Sequence, residues 1–309
     1  MGVILLILVT LISIFTYAQL QNAKELEKRV GNVDWRKAME IRIEGWQSRM
    51  NSSRTDPEER TRLQVRIDQN QYYLDKNINP AETGAPTFVR TLLDNAAYLL
   101  LPLMMMIVAA DMVSSEQSSG TIKVLLTRPI RRWRILLAKY LTLVMSVCFI
   151  LTSFVLLAAL ISGSVFGFKG WDAPVLTGFS MAQDQLDTTS VRMMPQWQFI
   201  LMEIGLAGVV SLTVATISFM LSVLVRSTAA GMGIMLASLI AGLILQGLVA
   251  SWDSAKYLFM VNLRLINYLV DAAPPVAGMT LGFSLSVLAM WSAGALFVAF
   301  RVFMRRDVF

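Results

Sequence analysis

The residues that could carry out chemistry are few in this chain, and most familiar active sites cannot be assembled from them. The sequence contains no histidine and a single cysteine, Cys148, which lies inside an apolar run. A histidine-based catalytic triad, a zinc site and an intrachain disulfide are therefore excluded. The sequence also has no phosphate-binding Gly-x-x-x-x-Gly-Lys-Ser/Thr loop and no Gly-x-Ser-x-Gly elbow. We expect no enzymatic activity, metal or cofactor for the chain on its own.

The most informative stretch runs from residue 111 to residue 139. It reads Asp-Met-Val-Ser-Ser-Glu-Gln-Ser-Ser-Gly-Thr-Ile-Lys-Val-Leu-Leu-Thr-Arg-Pro-Ile-Arg-Arg-Trp-Arg-Ile-Leu-Leu-Ala-Lys. Its middle predicts a short amphipathic helix, with one apolar face formed by Ile122, Leu125 and Leu126. Pro129 ends that helix and suits the first turn of the next one. The arginines and the tryptophan at 131–134 are typical of a membrane interface. The short helix before them would lie at the same interface, where a soluble partner could push on it.

The composition indicates that the rest of the chain is embedded in a membrane. Of the 309 residues, 55% are hydrophobic and only 16% are charged, and the mean hydropathy is +0.58. A soluble domain usually carries about a quarter charged residues. The charges crowd into residues 21–90 and a few short segments. The net charge of +6 does not indicate nucleic-acid binding, because the basic residues lie beside apolar stretches.

We predict an all-α polytopic membrane protein with six transmembrane helices and an extracellular helical hairpin between helices 1 and 2. An apolar run of about 20 residues crosses the hydrocarbon as a helix, because only a helix satisfies its own backbone there. The predicted spans are Val3–Leu20, Leu92–Val113, Ile135–Ser162, Phe199–Val225, Ala229–Ala250 and Met279–Phe300. The predicted domains are the first span (1–20), the hairpin (21–90), the second span (91–113), a cytoplasmic coupling loop (114–134), and the four remaining spans with short loops (135–309).

The distribution of basic residues predicts the orientation. Ten lysines and arginines crowd the loops on one side: Lys123, Arg128, Arg131, Arg132, Arg134, Lys139, Arg226, Arg301, Arg305 and Arg306. The positive-inside rule makes that side cytoplasmic, with both termini inside the cell. The first span begins almost at Met1 without a basic leader. It could be a signal peptide cleaved after Thr16-Tyr17-Ala18, or the natural start could lie upstream.

Residues 21–90 predict two soluble helices that pack on each other. Asp56-Pro57-Glu58-Glu59 is typical of a helix start. The expected apolar faces are Trp35, Met39, Trp46 and Met50 on one helix and Leu63, Ile67, Tyr73 and Leu74 on the other. A spacer without a ligand of its own, and a segment that gates substrate or docks a partner, both remain open.

Some features inside the apolar regions also predict contacts. Small residues recur every four positions at Ala229, Gly233, Ala237 and Ala241, and again at Ala207, Ser211 and Ala215. They suit close helix packing within the chain, or a dimer seam. We expect Asp94, Asn95 and Glu203 to lie in solvated outer ends of their helices. We interpret Tyr257–Val270 as a re-entrant or interfacial outer helix with Arg264, Asn267 and Asp271 on one side.

The 111–139 stretch resembles the coupling loop of type-2 ABC transporter permeases. The matching residues are Glu-x-x-x-Gly-Thr, then Leu-Leu, then Arg-Pro, then arginine, and a lysine in the next span. Ala138 departs from the pattern, which often has glycine before that lysine. The end of the hairpin, Tyr72–Pro80, is similar to that of a Gram-positive subgroup. The resemblance implies an ATPase-coupling role for Glu116, Gly120, Thr121, Leu125, Leu126, Arg128, Pro129 and Arg132.

The resemblance implies the permease of an ATP-driven ABC exporter that moves an unidentified substrate, such as a peptide, lipid or amphipathic drug. ATP would be bound by a cytoplasmic ABC ATP-binding subunit. A second permease copy or a homologous permease, together with membrane lipid, would complete the assembly. The alternative is a non-transporting sensor or accessory protein of the envelope stress response, with the external hairpin as its ligand-binding part.

Overall fold

The computed structural model describes residues 2–30, 34–52, 57–80, 84–118, 131–182, 185–225, 227–248, 253–270 and 278–305, and these are mostly helical. The helices are α1 (Gly2–Val30), α2 (Trp35–Met50), α3 (Pro57–Asp75), α4 (Ala85–Ala96), α5 (Leu100–Ser118), α6 (Arg132–Phe166), α7 (Gln196–Leu224), α8 (Thr228–Leu248), α9 (Asn267–Val270) and α10 (Leu281–Arg305). The strands are β1 (Pro174–Thr177), β2 (Ser180–Ala182), β3 (Gln185–Asp187) and β4 (Arg192–Pro195).

Several helices are long and apolar enough to cross a membrane, and the chain is therefore a multi-pass membrane protein. Five of the described helices meet this condition singly: α1, α6, α7, α8 and α10. A sixth span exists if α4 and α5 count as one, although they are bent by 58° at their break. Each of the five single helices contains most or all of one predicted span. Most of their ends differ from the predicted ones by one to five residues, whereas α1 continues ten residues beyond Leu20 to Val30.

The predicted second span, Leu92–Val113, is wrong as a continuous helix. α4 ends at Ala96 and α5 begins at Leu100, with turns between them. Pro102 is the third residue of α5, and it has no N–H to donate to the carbonyl of Tyr98. The proline ring would also clash with that carbonyl in an unbroken helix. Hydropathy alone does not register this effect.

The chain forms two compact units, and the first comprises residues 1–92, 154–203 and 267–274. Within it, α2 and α3 share a core built on Met39, Ile43 and Ile67. The partly buried side chains around this core are Trp35, Trp46, Met50, Tyr73 and Leu74. α3 begins at Pro57, as the charge and proline pattern predicts. Apolar faces from both helices therefore stabilise this part of the unit.

Two short antiparallel strand pairs, which the sequence does not predict, belong to the same unit of this mostly helical chain. β1 pairs with β4, from Pro174 opposite Pro195 to Thr177 opposite Arg192, and β2 pairs with β3. Gly178 follows β1 with a φ of +87°, and a Cβ there would lie 2.6 Å from the carbonyl oxygen of Ser190. Strands of three or four residues are too short to show a reliable period of two.

These strands complete a second core in the first unit. Val65 and Ile78 are buried with Leu176 and Phe179, and Tyr72, Tyr73 and Val191 pack around them. The Tyr73 hydroxyl donates to the Leu176 carbonyl at 3.3 Å. Burial raises the pKa of Tyr73 above its usual 10.0, opposed by the positive charge of Arg90. Tyr73 also borders the α2–α3 core, and it therefore joins the two cores.

The second unit comprises residues 93–153, 204–266 and 275–309. Here the predicted re-entrant or interfacial helix over Tyr257–Val270 is not continuous: two 3₁₀ turns, Asp253–Tyr257 and Phe259–Leu263, precede the short α9. The turns approach α8 so closely that a Cβ on Gly242 would lie 2.7 Å from the Met260 Cβ. The Trp291 indole of α10 donates to the Tyr257 carbonyl at 2.9 Å. The turns are therefore held between two helices, while Asp271 lies outside the described residues.

Candidate functional site

Glu116 and Lys139 form an ion pair that joins α5 to α6. The Lys139 Nζ lies 2.7 Å from the Glu116 Oε1, and 17% and 34% of the two side chains, respectively, are exposed. Glu116 stands two residues before the end of α5, and Lys139 stands at the start of the third turn of α6. The two residues therefore flank the segment whose sequence resembles a coupling loop, and their contact holds its two ends together.

Lys139 also binds the backbone of α5. Its Nζ donates to the Met112 carbonyl at 2.8 Å, one helical turn before Glu116. A glutamate near the C-terminus of a helix faces the negative end of the helix dipole, which is unfavourable. The ammonium group offsets both the carboxylate and the partial charge of the carbonyls. Lys139 therefore contacts this end of α5 through both a side chain and a backbone carbonyl.

A set of buried hydroxyl groups joins α5 to α7 and α8 beside this ion pair. The Ser222 Oγ accepts from the backbone N–H groups of Val113 at 2.9 Å and of Ser114 at 3.0 Å. The Ser114 Oγ donates to the Ala110 carbonyl at 2.5 Å and lies 2.8 Å from the Thr228 Oγ1. Since Ser114 has one hydroxyl proton, Thr228 is the donor in the second contact. Ser114 and Ser222 are both fully buried.

We call this group of residues the four-helix junction; its members are Met112, Val113, Ser114, Glu116, Lys139, Ser222 and Thr228. A further contact between α6 and α7 lies nearby, where the Tyr140 and Thr216 hydroxyls are 3.2 Å apart. The junction offers hydrogen bonds and one ion pair but no nucleophile activated by a base. Its geometry is suited to fixing helix ends relative to one another.

The structure describes two of the eight residues that the resemblance places in the coupling loop. Glu116 belongs to the junction, and Arg132 is the first residue of α6. Beside it, the Arg134 guanidinium lies 5.5 Å from the centre of the Trp133 ring. The other six predicted residues lie outside the described residues: Gly120, Thr121, Leu125, Leu126, Arg128 and Pro129.

The two small-residue stripes behave differently. Ala207, Ser211 and Ala215 are completely buried, which confirms packing within the chain for that stripe. Ala229, Gly233 and Ala237 are exposed, and Ala241 is partly exposed. A Cβ on Gly233 would meet no atom within 4 Å. These positions are therefore largely exposed in the described part of the chain, and the choice between helix packing and a dimer seam stays a prediction.

One predicted solvated position also needs correction. Asn95 is exposed and Asp94 is partly buried, but Glu203 is completely buried. Glu203 lies in α7, which has the largest buried share of the candidate spans. A glutamate near the end of a hydropathy segment is therefore not solvated when other parts of the chain cover its helix.

The sequence does not predict a role for three junction residues: Ser114, Ser222 and Thr228. Ser114 and Ser222 stand among apolar residues of α5 and α7. A hydroxyl inside an apolar helix is expected to form a hydrogen bond, and its presence therefore indicates a polar contact. The signal does not identify the partner, since Ser222 is more than 100 residues from Ser114.

Residues 61–309 match the model of a family described as "Protein of unknown function (DUF2705)". The chain belongs to this family. It is also similar to the "Uncharacterized protein YhcI" of Bacillus subtilis (strain 168), with 31% identity over 260 residues. That similarity covers 82% of this chain and 79% of the relative.

The DUF2705 match contains the whole four-helix junction. It starts inside α3 and leaves out α1 and α2. Neither the family description nor the name of the relative states an activity.

Proposed function

We propose that the chain is the membrane-spanning permease subunit of an ATP-driven ABC exporter. It would work with a cytoplasmic ABC ATP-binding subunit and with a second permease copy or a homologous permease. Several apolar helices that can span a membrane are consistent with this role. In this proposal both termini and the loop after α5 lie in the cytoplasm of a bacterial cell, and α2 and α3 lie outside it.

The observation that carries the proposal is the contact between Glu116 and Lys139. A loop that receives force must be attached stiffly to the helices that move. The ion pair attaches its two flanking helices to each other, and the hydrogen bonds of Ser114 and Ser222 attach α5 to α7 and α8. Force applied to this loop would consequently reach four helices rather than one.

The first test is recovery of the partner. A tagged chain is purified from its own host in mild detergent, and the bound proteins are identified by mass spectrometry. We expect an ABC ATP-binding subunit. A correctly folded chain that brings down no such subunit contradicts the proposal. In that case the sensor alternative predicts that deletion of residues 34–80 removes a stress response.

The second test asks whether the junction transmits work. Glu116→Gln is compared with Glu59→Gln, which removes the carboxylate of the Arg49–Glu59 ion pair, where 67% and 43% of the two side chains are exposed. We expect both variants to insert and to bind the ATP-binding subunit. ATP hydrolysis by the complex should fall about tenfold with Glu116→Gln, the factor for ~1.4 kcal/mol, and stay normal with Glu59→Gln. Equal hydrolysis by both variants would remove the junction from the mechanism.

A further inference from the structure

A second polar group lies away from the four-helix junction, where Arg264 contacts Tyr98. The guanidinium carbon of Arg264 lies 4.6 Å from the centre of the Tyr98 ring. Tyr98 stands in the turn between α4 and α5, and Arg264 directly follows the second 3₁₀ turn. A guanidinium that stacks its face on an aromatic ring keeps the N–H groups of its edge available.

The Arg264 guanidinium carries one donor that the described part of the chain leaves without an acceptor. Its Nε is buried and has no hydrogen-bond partner there. An arginine stays protonated at any accessible pH, and a buried charged donor without an acceptor is costly. The arrangement therefore calls for an anionic acceptor.

The backbone around Arg264 is held in place, so the side chain is presented from a fixed segment. Asn262, only 2% exposed, donates through its Nδ2 to the carbonyls of Lys256 and Leu258, both at 2.8 Å. The close approach of Met260 to α8 fixes the same segment. A preorganised donor binds an anion with less loss of conformational entropy than a mobile one.

The break in the second span favours the same sign of ligand charge. α5 starts at Leu100, two residues after Tyr98, and it is 19 residues long. The first turn of a helix carries partial positive charge and backbone N–H groups without helical partners. A negative group next to Tyr98 would consequently interact favourably with this helix end as well as with Arg264.

We propose that Arg264, stacked on Tyr98, binds a phosphate-bearing anion through two N–H groups of its guanidinium edge. The planar fork of arginine matches two phosphate oxygens, which a lysine ammonium cannot reproduce. In a membrane protein the ligand is a phosphodiester lipid headgroup or a soluble phosphate, and both present the same oxygens. This site is independent of the transport proposal.

The test measures binding of two probes to the purified full chain in a neutral detergent. One probe is phosphatidylglycerol in mixed micelles, with phosphatidylcholine as its comparison, and the other is inorganic phosphate. Arg264→Gln is compared with Lys256→Gln, because Lys256 is also partly buried, in the same segment, and lies 5.7 Å from the centre of the Tyr257 ring. Circular dichroism and gel filtration check that each variant is folded.

We expect Arg264→Gln to weaken binding about tenfold or more, as for loss of a charge-assisted contact, and Lys256→Gln to change it less than about twofold. Arg264-dependent binding of phosphatidylglycerol identifies a lipid headgroup; the same dependence with inorganic phosphate alone identifies a soluble anion. If neither probe binds the unaltered chain, or if the two glutamine variants lose affinity equally, the proposal is overturned.

Arg264→Lys tests the same proposal if the Arg264→Gln protein does not fold. It keeps the charge and removes the planar fork, and it should weaken binding several-fold. Unchanged affinity of a folded Arg264→Lys protein would overturn the bidentate site.

Discussion

The hydroxyl of Ser222 offers the sharpest test of the four-helix junction. It accepts hydrogen bonds from two backbone N–H groups of α5, and Ser222→Ala removes both of these contacts. A net hydrogen bond contributes about 0.5–1.5 kcal/mol, and polar contacts between helices in membranes average roughly 0.6 kcal/mol. Two such bonds predict a loss of about 1–2 kcal/mol in the free energy of unfolding.

The same helix supplies a matched control. Ser218 lies one turn before Ser222 in α7, and both residues are 1% exposed. The Ser218 Oγ has no hydrogen-bond partner in the described part of the chain. Ser218→Ala therefore deletes the same atom with the same loss of volume but without a lost hydrogen bond. We expect it to change the stability by less than about 0.5 kcal/mol, or to increase it.

Reversible unfolding in mixed micelles of sodium dodecyl sulfate, followed by tryptophan fluorescence, measures this difference. Both variants are titrated beside the unaltered chain, and the two free energies are compared directly. A common effect of removing a hydroxyl cancels in that comparison. If the two alanine variants differ by less than about 0.3 kcal/mol, the reasoning about Ser222 is refuted.

Two further predictions concern Gly242 and Tyr73. Gly242→Ala should destabilise the chain by about 1–3 kcal/mol in the same unfolding assay, because the new Cβ would lie 2.7 Å from the Met260 Cβ. Gly233→Ala is the control: its Cβ would meet no atom within 4 Å, and the variant should be neutral or more stable by up to about 1 kcal/mol. Equal effects of the two substitutions would contradict the close approach of Met260 to α8. The raised pKa of Tyr73 means that its contribution is present below pH 10 and is lost as the pH rises through the folded-state pKa. Melting temperatures from pH 8 to pH 11 should therefore fall less for Tyr73→Phe than for the unaltered chain, and parallel curves would count against this.

The sequence predicts the membrane class well because length and hydropathy are local properties. Its limits appear where one residue or a distant partner decides the structure. Pro102 breaks the second span although its neighbours are apolar. It lacks the backbone N–H of other residues, and its ring would clash with the carbonyl four residues earlier in a continuous helix. β1 and β4 each have four residues, and their pairing depends on positions about 20 residues apart. Neither feature changes the average hydropathy of its surroundings.

The same distinction holds for the candidate site. Glu116 is recognised because it belongs to a local pattern with the glycine, threonine and arginine that follow. Ser222 belongs to no local pattern, and its role arises only when α7 lies against α5. The exposed positions of Ala229 and Gly233 show the reverse case, because regular spacing on a helix does not reveal which helix covers it.

The direction of the hydrogen bonds at Ser114 restricts which residue can begin α8. Aspartate is favourable in the first turn of a helix, because its negative charge faces the positive end of the helix dipole. At position 228 an ionised aspartate would place lone pairs against the Ser114 oxygen, whose proton is already held by Ala110. Threonine and serine can supply the missing proton. The Ser114 oxygen of α5 therefore requires a hydrogen-bond donor at position 228, the first residue of α8.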